Sequence, residues 1–335
     1  MNTHPQLKVL FILSLLLAVP LFANSVHIAY ALYRKQTYVK PTPDKVPVIL
    51  SLSAAYSYIS SASVDINVDQ SADKYALIVD IWFGDKSEDL RLYPDYKNLR
   101  KARELFESLG YETIVLSEHN ATFANILKAI IKILEAENDA SDRVVFIFAS
   151  HGYYIGHEWY DYLVFPTVLW GMSVIMTYDE YWISTLTLLV LFNLLLDSKN
   201  VFLLFDACLQ GGMKRIADGK TDVVLLGNTW TPVSFGDQED GRIVVTSSSE
   251  STYGVSSATY GFVFLYYFLT YLPEHYSVES TFDYVEPIYE SYNVNWTLDA
   301  QIADNYDGYY YIIYGGGSWS PGIGITPTGY TETIL

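Results

Sequence analysis

The chain has 335 residues, half of them hydrophobic, enough for one large domain or two modest ones around a sizeable core. Its 38 acidic against 20 basic residues give a formal net charge of -18, which argues against a nucleic-acid partner because phosphate binding needs clustered Lys and Arg. The single cysteine excludes an internal disulfide and leaves a thiol that is either buried and inert or reactive.

At the N-terminus Lys8 precedes an apolar run over 9–23, the length of a signal-peptide core and short for a membrane span. Apolar character resumes over 26–33, so residues 1–33 read as a cleaved signal peptide or a retained anchor. Both place the bulk of the chain outside the cytoplasm, secreted or held at the outer face of a membrane. Residues 34–72 read as a linker or prodomain: Pro41, Pro43 and Pro47 punctuate the start and a Ser/Ala-rich stretch follows. The alternation of Val64, Ile66 and Val68 with polar residues predicts a peripheral strand.

From residue 74 the pattern becomes regular. Residues 75–83 are apolar except for Asp80, as expected of a strand buried on both faces. Leu99, Ala102, Leu105, Phe106 and Leu109 have helical spacing, and Gly110 stands where a left-handed residue closes a helix. A strand at 112–116 is followed by a helix at 121–137, with Ile126, Leu127, Ile130, Ile131 and Leu134 on one side. Further strands are predicted at 143–150, 201–206 and 243–247. This alternation predicts an α/β fold, a three-layer α/β/α sandwich on a mostly parallel sheet of about six strands. The insertion at 152–200 ends in an apolar run, 181–196, read as a buried core helix because a span needs about 20 residues. Asp179 and Glu180 precede it, where acidic groups suit the positive end of the helix dipole. The main domain is placed at 73–275, with a Tyr- and Gly-rich extension at 276–335.

Ligands of open α/β sheets bind outside the carboxyl ends of the strands. Two strand ends carry reactive groups: Ser150-His151-Gly152 and Asp206-Ala207-Cys208. If those strands are neighbours, an imidazole meets the sole thiol at one edge of the sheet. A thiolate is a nucleophile, and a nearby imidazole both activates it and protonates a leaving amine. Glycines behind each residue (Gly152, Gly211, Gly212) let a substrate backbone approach, and backbone N–H groups at such turns can hold an oxyanion. Taken singly, a His-Gly or a Cys after a buried strand is more often structural than catalytic; their joint occurrence in this order is the informative event. His157, Glu158 and Asp161 read as a solvated loop in preference to a metal site, and Asp304-Asn305-Tyr306-Asp307-Gly308 as a plain turn. No phosphate loop, dinucleotide fingerprint or Gly-x-Ser-x-Gly elbow is present.

With these motifs, residues 74–272 resemble the clan CD cysteine peptidases, the caspase-hemoglobinase fold, and within them the legumain type most. That family pairs His-Gly at one strand end with an acidic residue-Ala-Cys at the next. Leu163-Val164-Phe165-Pro166 resembles the segment after the legumain His, and residues 242–251 resemble the strand lining the legumain S1 pocket. His151 precedes Cys208 by a span near the roughly 50 residues typical of caspases. The resemblance implies Cys208 as nucleophile, His151 as general base and acid, and the N–H groups of Gly152 and Cys208 as oxyanion hole. It implies Asp206 as the P1-selecting residue, with Thr246, Ser247 and Ser248 beside the substrate. An unpaired carboxylate at Asp206 favours Arg or Lys at P1, whereas legumains prefer Asn. The expected activity is hydrolysis of peptide bonds through an acyl-thioester. A transamidase on the same dyad and a non-catalytic binding module on the same fold are the alternatives. The partner is a polypeptide, with a membrane tether through the N-terminal apolar segment as a second expectation; the chemistry requires no cofactor or metal.

Overall fold

The segments read as strands carry apolar residues at successive positions, the condition for burial on both faces of a parallel sheet. The computed structural model describes residues 45–47, 49, 52–93, 96–155, 172–218, 220–225, 229–234, 241–292, 294 and 296–304. They belong to a unit spanning Tyr38–Leu335; a separate unit, Met1–Thr37, contains the expected leader and lies outside the described residues.

In chain order, helix α1 (Leu52–Ile59) precedes strand β1 (Lys74–Asp80), helix α2 (Tyr96–Ser108), strand β2 (Glu112–Ser117), helix α3 (Phe123–Ala136) and strand β3 (Arg143–Ala149). Three short strands follow, β4 (Gly152–Ile155), β5 (Met172–Met176) and β6 (Trp182–Ser184), then helix α4 (Thr185–Leu189), which runs into a π-helical turn at Val190–Leu195. Next come β7 (Asn200–Asp206), α5 (Arg215–Asp218), the hairpin β8 (Lys220–Leu225) and β9 (Thr229–Ser234), and β10 (Arg242–Thr246). The two-residue strands β11 (Ser256–Ser257) and β12 (Gly261–Phe262), helices α6 (Val263–His275) and α7 (Val278–Glu290), and strand β13 (Gln301–Asp304) complete the described chain.

The central sheet has six strands in the order β13-β10-β7-β3-β1-β2, all parallel except β13, which pairs antiparallel with β10. Alternate residues of each strand face opposite layers. Leu77, Val79, Phe146, Phe148, Leu203 and Phe205 pack with α3, α4 and the π-helical turn. Ala76, Ile78, Val145, Ile147, Phe202 and Leu204 pack with α2, α6 and α7. Each fully buried large apolar side chain contributes roughly 1.5–3 kcal/mol, so these two cores fix the α/β/α sandwich and the register of its strand ends.

Three expectations need correction. The run at 181–196 is not one helix. It splits into β6, α4 and the π-helical turn because its residues are buried almost throughout, so no apolar stripe distinguishes a helix from a strand. The Ser184 hydroxyl accepts the Thr187 N–H and sets the start of α4. Asp179 serves a different helix, accepting the Phe123 N–H at the start of α3 at 2.9 Å. Second, the part of 34–72 that is described is built into the core. Val46, Ile49, Ala55 and Ile66 are buried against the α3 layer, and Val64, Ile66 and Val68 form no strand. Side chains of α3 hold that stretch: Asn125 Oδ1 accepts the N–H of Ser63 and Val64, and Lys128 Nζ donates to Val64 O. Third, the fold continues past residue 275. Phe282, Val285 and Tyr289 of α7 are buried in the second core, and β13 lengthens the sheet.

Residues 152–200 also contain a feature the sequence reading lacked, the antiparallel sheet β4-β5-β6. His157, Glu158, Asp161 and Leu163-Val164-Phe165-Pro166 lie outside the described residues, as do Asn305 to Gly308. Among the described residues no helix is long and apolar enough to cross a membrane.

Candidate active site

Register brings the two loaded strand ends together. Strands β3 and β7 are neighbours, and Ala149 pairs with Asp206. His151 and Cys208 therefore each stand two residues beyond the same rung, on strands about 4.8 Å apart. The Ser150 N–H donates to Asp206 O at 3.3 Å and ties the two chain ends. Both side chains line one cavity of about 190 Å³. Asp206 also lines it, and Leu92, Val255, Phe262 and Trp296 give it apolar walls.

His151 is half-buried, and its ring packs on Phe83 with centroids 5.3 Å apart. Its Nε2 lies 2.8 Å from Leu90 O. A carbonyl only accepts, so in the neutral ring Nε2 carries the hydrogen and Nδ1 is left as the acceptor. Burial lowers the imidazole pKa from its ordinary value of 6.5, with the Leu90 carbonyl acting the other way, so the ring is neutral at pH 7.

Cys208 is half-buried, and its thiol donates to Gly254 O at 3.9 Å. Burial pushes the thiol up to about 11, and the neighbouring Asp206 carboxylate adds to the rise. The resting site therefore holds a neutral thiol beside a neutral imidazole, not a thiolate-imidazolium pair. Alkylation of Cys208 by iodoacetamide, followed by mass spectrometry, is expected to be slow at pH 7 and to accelerate continuously towards pH 11. A fast plateau already present at pH 5 to 6 would contradict this resting state.

The turn that carries Cys208 is braced on every side. Leu209 takes φ +60°, the left-handed region that a non-glycine residue occupies at a cost of roughly 1–2 kcal/mol. Its N–H donates to Thr252 O, and its carbonyl accepts from the Ser173 hydroxyl. Gln210 Nε2 donates to Cys208 O at 2.7 Å and to Val174 O at 3.2 Å. Thr246, Ser247 and Ser248 are buried and do not line the cavity. Their hydroxyls serve the backbone instead: Ser248 Oγ donates to Ala207 O at 2.7 Å and accepts the Gln210 N–H at 2.9 Å, Ser247 Oγ donates to Ala207 O at 3.4 Å, and Thr246 Oγ1 donates to Ser248 O at 2.9 Å. They support the turn from below rather than face a substrate.

Gly152 opens β4 hard against this turn. A Cβ there would stand 2.2 Å from Cys208 O and 2.1 Å from Gln210 Nε2, so only glycine fits. The Met176 N–H donates to His151 O, which makes the next pair, Gly152 with Ile175, a non-hydrogen-bonded one. The Gly152 N–H is thereby turned away from β5.

Asp206 is fully buried. Its Oδ2 accepts the Leu265 N–H at 2.8 Å, in the first turn of α6, while Oδ1 has no hydrogen-bond partner among the described residues. Burial pushes the carboxyl up to about 6, against weaker lowering led by the Leu265 N–H.

Several contributors had no sequence signal. Leu90 and Gly254 act through carbonyls, which every residue carries. Phe83 and Trp296 are recognisable only once the loops that bring the first to the imidazole and the second to the cavity are placed.

A three-layer sandwich with a His and a Cys on adjacent parallel strand ends, facing one cavity, defines a caspase-like protein. The family model for the caspase domain, Peptidase_C14, matches residues 73–291. The chain belongs to that family, whose fold is of the cysteine-peptidase type. Solved structures similar to it include caspase-1 from Spodoptera frugiperda, at 12% identity and a TM-score of 0.49 over 74% of this chain and 95% of that one. A structural-genomics protein from Geobacter sulfurreducens is similar at 12% identity and a TM-score of 0.48, over 69% of this chain and 93% of that one. No curated protein matches the chain.

Proposed function

We propose that the chain is a cysteine endopeptidase that cleaves after a basic residue, acting outside the cytoplasm. The observation that carries this reading is the register of β3 and β7, which sets His151 and Cys208 in one cavity with a buried carboxylate. Because both groups are neutral at rest, attack is concerted with proton transfer. Nδ1 of His151 takes the thiol proton as Sγ bonds to the scissile carbonyl carbon. The oxyanion is held by the N–H groups of Gly152 and Cys208. The imidazolium then gives its proton to the leaving amine as the C–N bond breaks; a water, deprotonated by the same imidazole, attacks the thioester, and the proton passes to Sγ as the C–S bond breaks, restoring the neutral pair. Asp206 receives the P1 cation at Oδ1, a charge-assisted bond in a desolvated site, while Leu92, Val255, Phe262 and Trp296 cover its methylene stem.

The test is a positional-scanning fluorogenic peptide library on residues 36–335, run beside Cys208→Ala. Cleavage after Arg or Lys that disappears in the variant supports the reading. Cleavage after Asn supports the dyad but gives the pocket a legumain-like preference. Absence of cleavage, with Cys208 inert to alkylation even as pH approaches about 11, favours a binding module on the same fold.

A pH dependence follows. On a basic P1 substrate two groups must lose protons: Asp206, at about 6, and His151, lowered from 6.5. kcat/KM is expected to rise with pH through about 6. On a poorer substrate with an uncharged P1 residue the Asp206 requirement lapses, and the acid limb is expected to be shallower, following the loss of one proton from His151 in place of two. Identical profiles for the two substrates would remove Asp206 from P1 recognition.

A further inference from the structure

Strand β2 ends at Ser117, and the chain turns through Glu118, itself at φ +45°. The Glu118 side chain reaches across to the loop after β1. Its Oε1 accepts the N–H of Trp82 at 2.6 Å and of Phe83 at 2.9 Å, and its Oε2 accepts the N–H of Gly84 at 3.0 Å. Three successive amides converge on one anion only when the backbone curls into a concave nest. Phe83 sits within that curl at φ +55°, a conformation that a bulky residue adopts only when its surroundings impose it.

The curl has two consequences for His151. It fixes the buried Phe83 ring, which packs on the imidazole and stacks with Tyr178 at 6.2 Å. It also fixes Trp82, whose carbonyl accepts the Leu92 N–H at 2.8 Å and so closes the loop over 82–92. Leu90 lies in that loop, and its carbonyl accepts the His151 Nε2–H. One carboxylate thus governs both the surface on which the imidazole rests and the acceptor that selects its tautomer. A carboxylate has acceptors alone, so it can satisfy all three amides; a carboxamide would turn a donor toward one of them.

We propose that Glu118 is a positioning residue that holds the His151 imidazole as the Nε2–H tautomer, with Nδ1 presented to Cys208, by fixing the 82–92 loop. Its kinetic consequence rests on the peptidase reading; its effect on the imidazole does not.

The experiment uses the full chain labelled with 15N-histidine, whose six histidines are resolved by assigning His151 from the signal lost in His151→Ala. Imidazole 15N shifts are compared among wild type, Glu118→Gln and Glu118→Asp. kcat and KM are measured on a peptide substrate, with Tm to confirm the fold. The wild type is expected to show a single Nε2–H tautomer. Glu118→Gln is expected to mix tautomers and lose kcat by roughly 10- to 100-fold, the scale of a misplacement near 1 Å, with KM nearly unchanged. Glu118→Asp, which keeps the charge but withdraws it from the Gly84 amide, is expected to fall between them. A wild-type tautomer or a wild-type kcat in folded Glu118→Gln overturns the proposal. If Glu118→Gln does not fold, wild-type values in Glu118→Asp overturn it equally. A tautomer that moves in the variants of a chain that cleaves no peptide retains the positioning role and removes the peptidase reading.

Discussion

Gly152→Ala is expected to lower kcat on the best peptide substrate by more than roughly 1,000-fold, combining a misaimed backbone N–H at the proposed oxyanion site with a displaced nucleophile. The added methyl would stand 2.2 Å from Cys208 O and 2.1 Å from Gln210 Nε2. The Gln210 side chain can rotate, but only by giving up its bonds to Cys208 O and Val174 O. The Cys208 carbonyl is backbone, held in a turn already strained at Leu209, so the turn itself has to shift. Such overpacking typically costs about 1–3 kcal/mol, and Tm is expected to fall by several degrees while circular dichroism remains that of a folded chain. Near-normal turnover in the folded variant would remove Gly152 and the Cys208 turn from the reaction centre.

That prediction joins two residues that the sequence places at strand ends and that meet only because β3 and β7 are neighbours. The strands were readable because residues buried on both faces leave uninterrupted apolar runs, as at 143–150 and 201–206. The order of His-Gly and Asp-Ala-Cys was readable because strand ends are where α/β sheets place their ligands. Register then did what a sequence cannot state, aligning Ala149 with Asp206.

Other parts were illegible for reasons that differ. The segment 181–196 carried strong hydrophobicity and no period, so its partition into β6, α4 and a π-helical turn depended on neighbours and on the Ser184 cap. The short strands β4 and β5 flank a long sequence gap, and nothing local announces that Gly152 will pair with Ile175. Val64, Ile66 and Val68 alternate as a strand would, yet Asn125 and Lys128 satisfy that backbone with side chains. The hydroxyls of Ser247 and Ser248 resemble a substrate-facing row in sequence but point to the Ala207 carbonyl. Glu118 had no motif at all, because its partners are three amides of a loop far away in sequence.

Asp206→Asn is expected to separate stability from function. The carboxyl is fully buried and its pKa is raised from 3.8 to about 6. A raised acid pKa means that the folded state holds the proton more tightly than the unfolded one. Stability is therefore lost as pH climbs from 3.8 through about 6, and above that the ionised carboxylate costs on the order of 3 kcal/mol. The Asn side chain keeps an oxygen for the Leu265 N–H and carries no charge to desolvate. Its Tm at pH 8 is expected to exceed that of the wild type, and the gap is expected to close near pH 4. On Arg or Lys substrates kcat/KM is expected to fall by roughly 100-fold, the upper range of a hydrogen bond to a charged group, with the loss in KM as much as in kcat. Alkylation of Cys208 should survive, and at high pH it should quicken, since the neighbouring negative charge that raises the thiol pKa is gone. Under the proposed function, a buried anion that weakens the fold is a stability cost offset by binding of the P1 cation. Lower stability at pH 8 together with unchanged cleavage after basic residues would make Asp206 a structural support for α6 and would require another source for P1 selection.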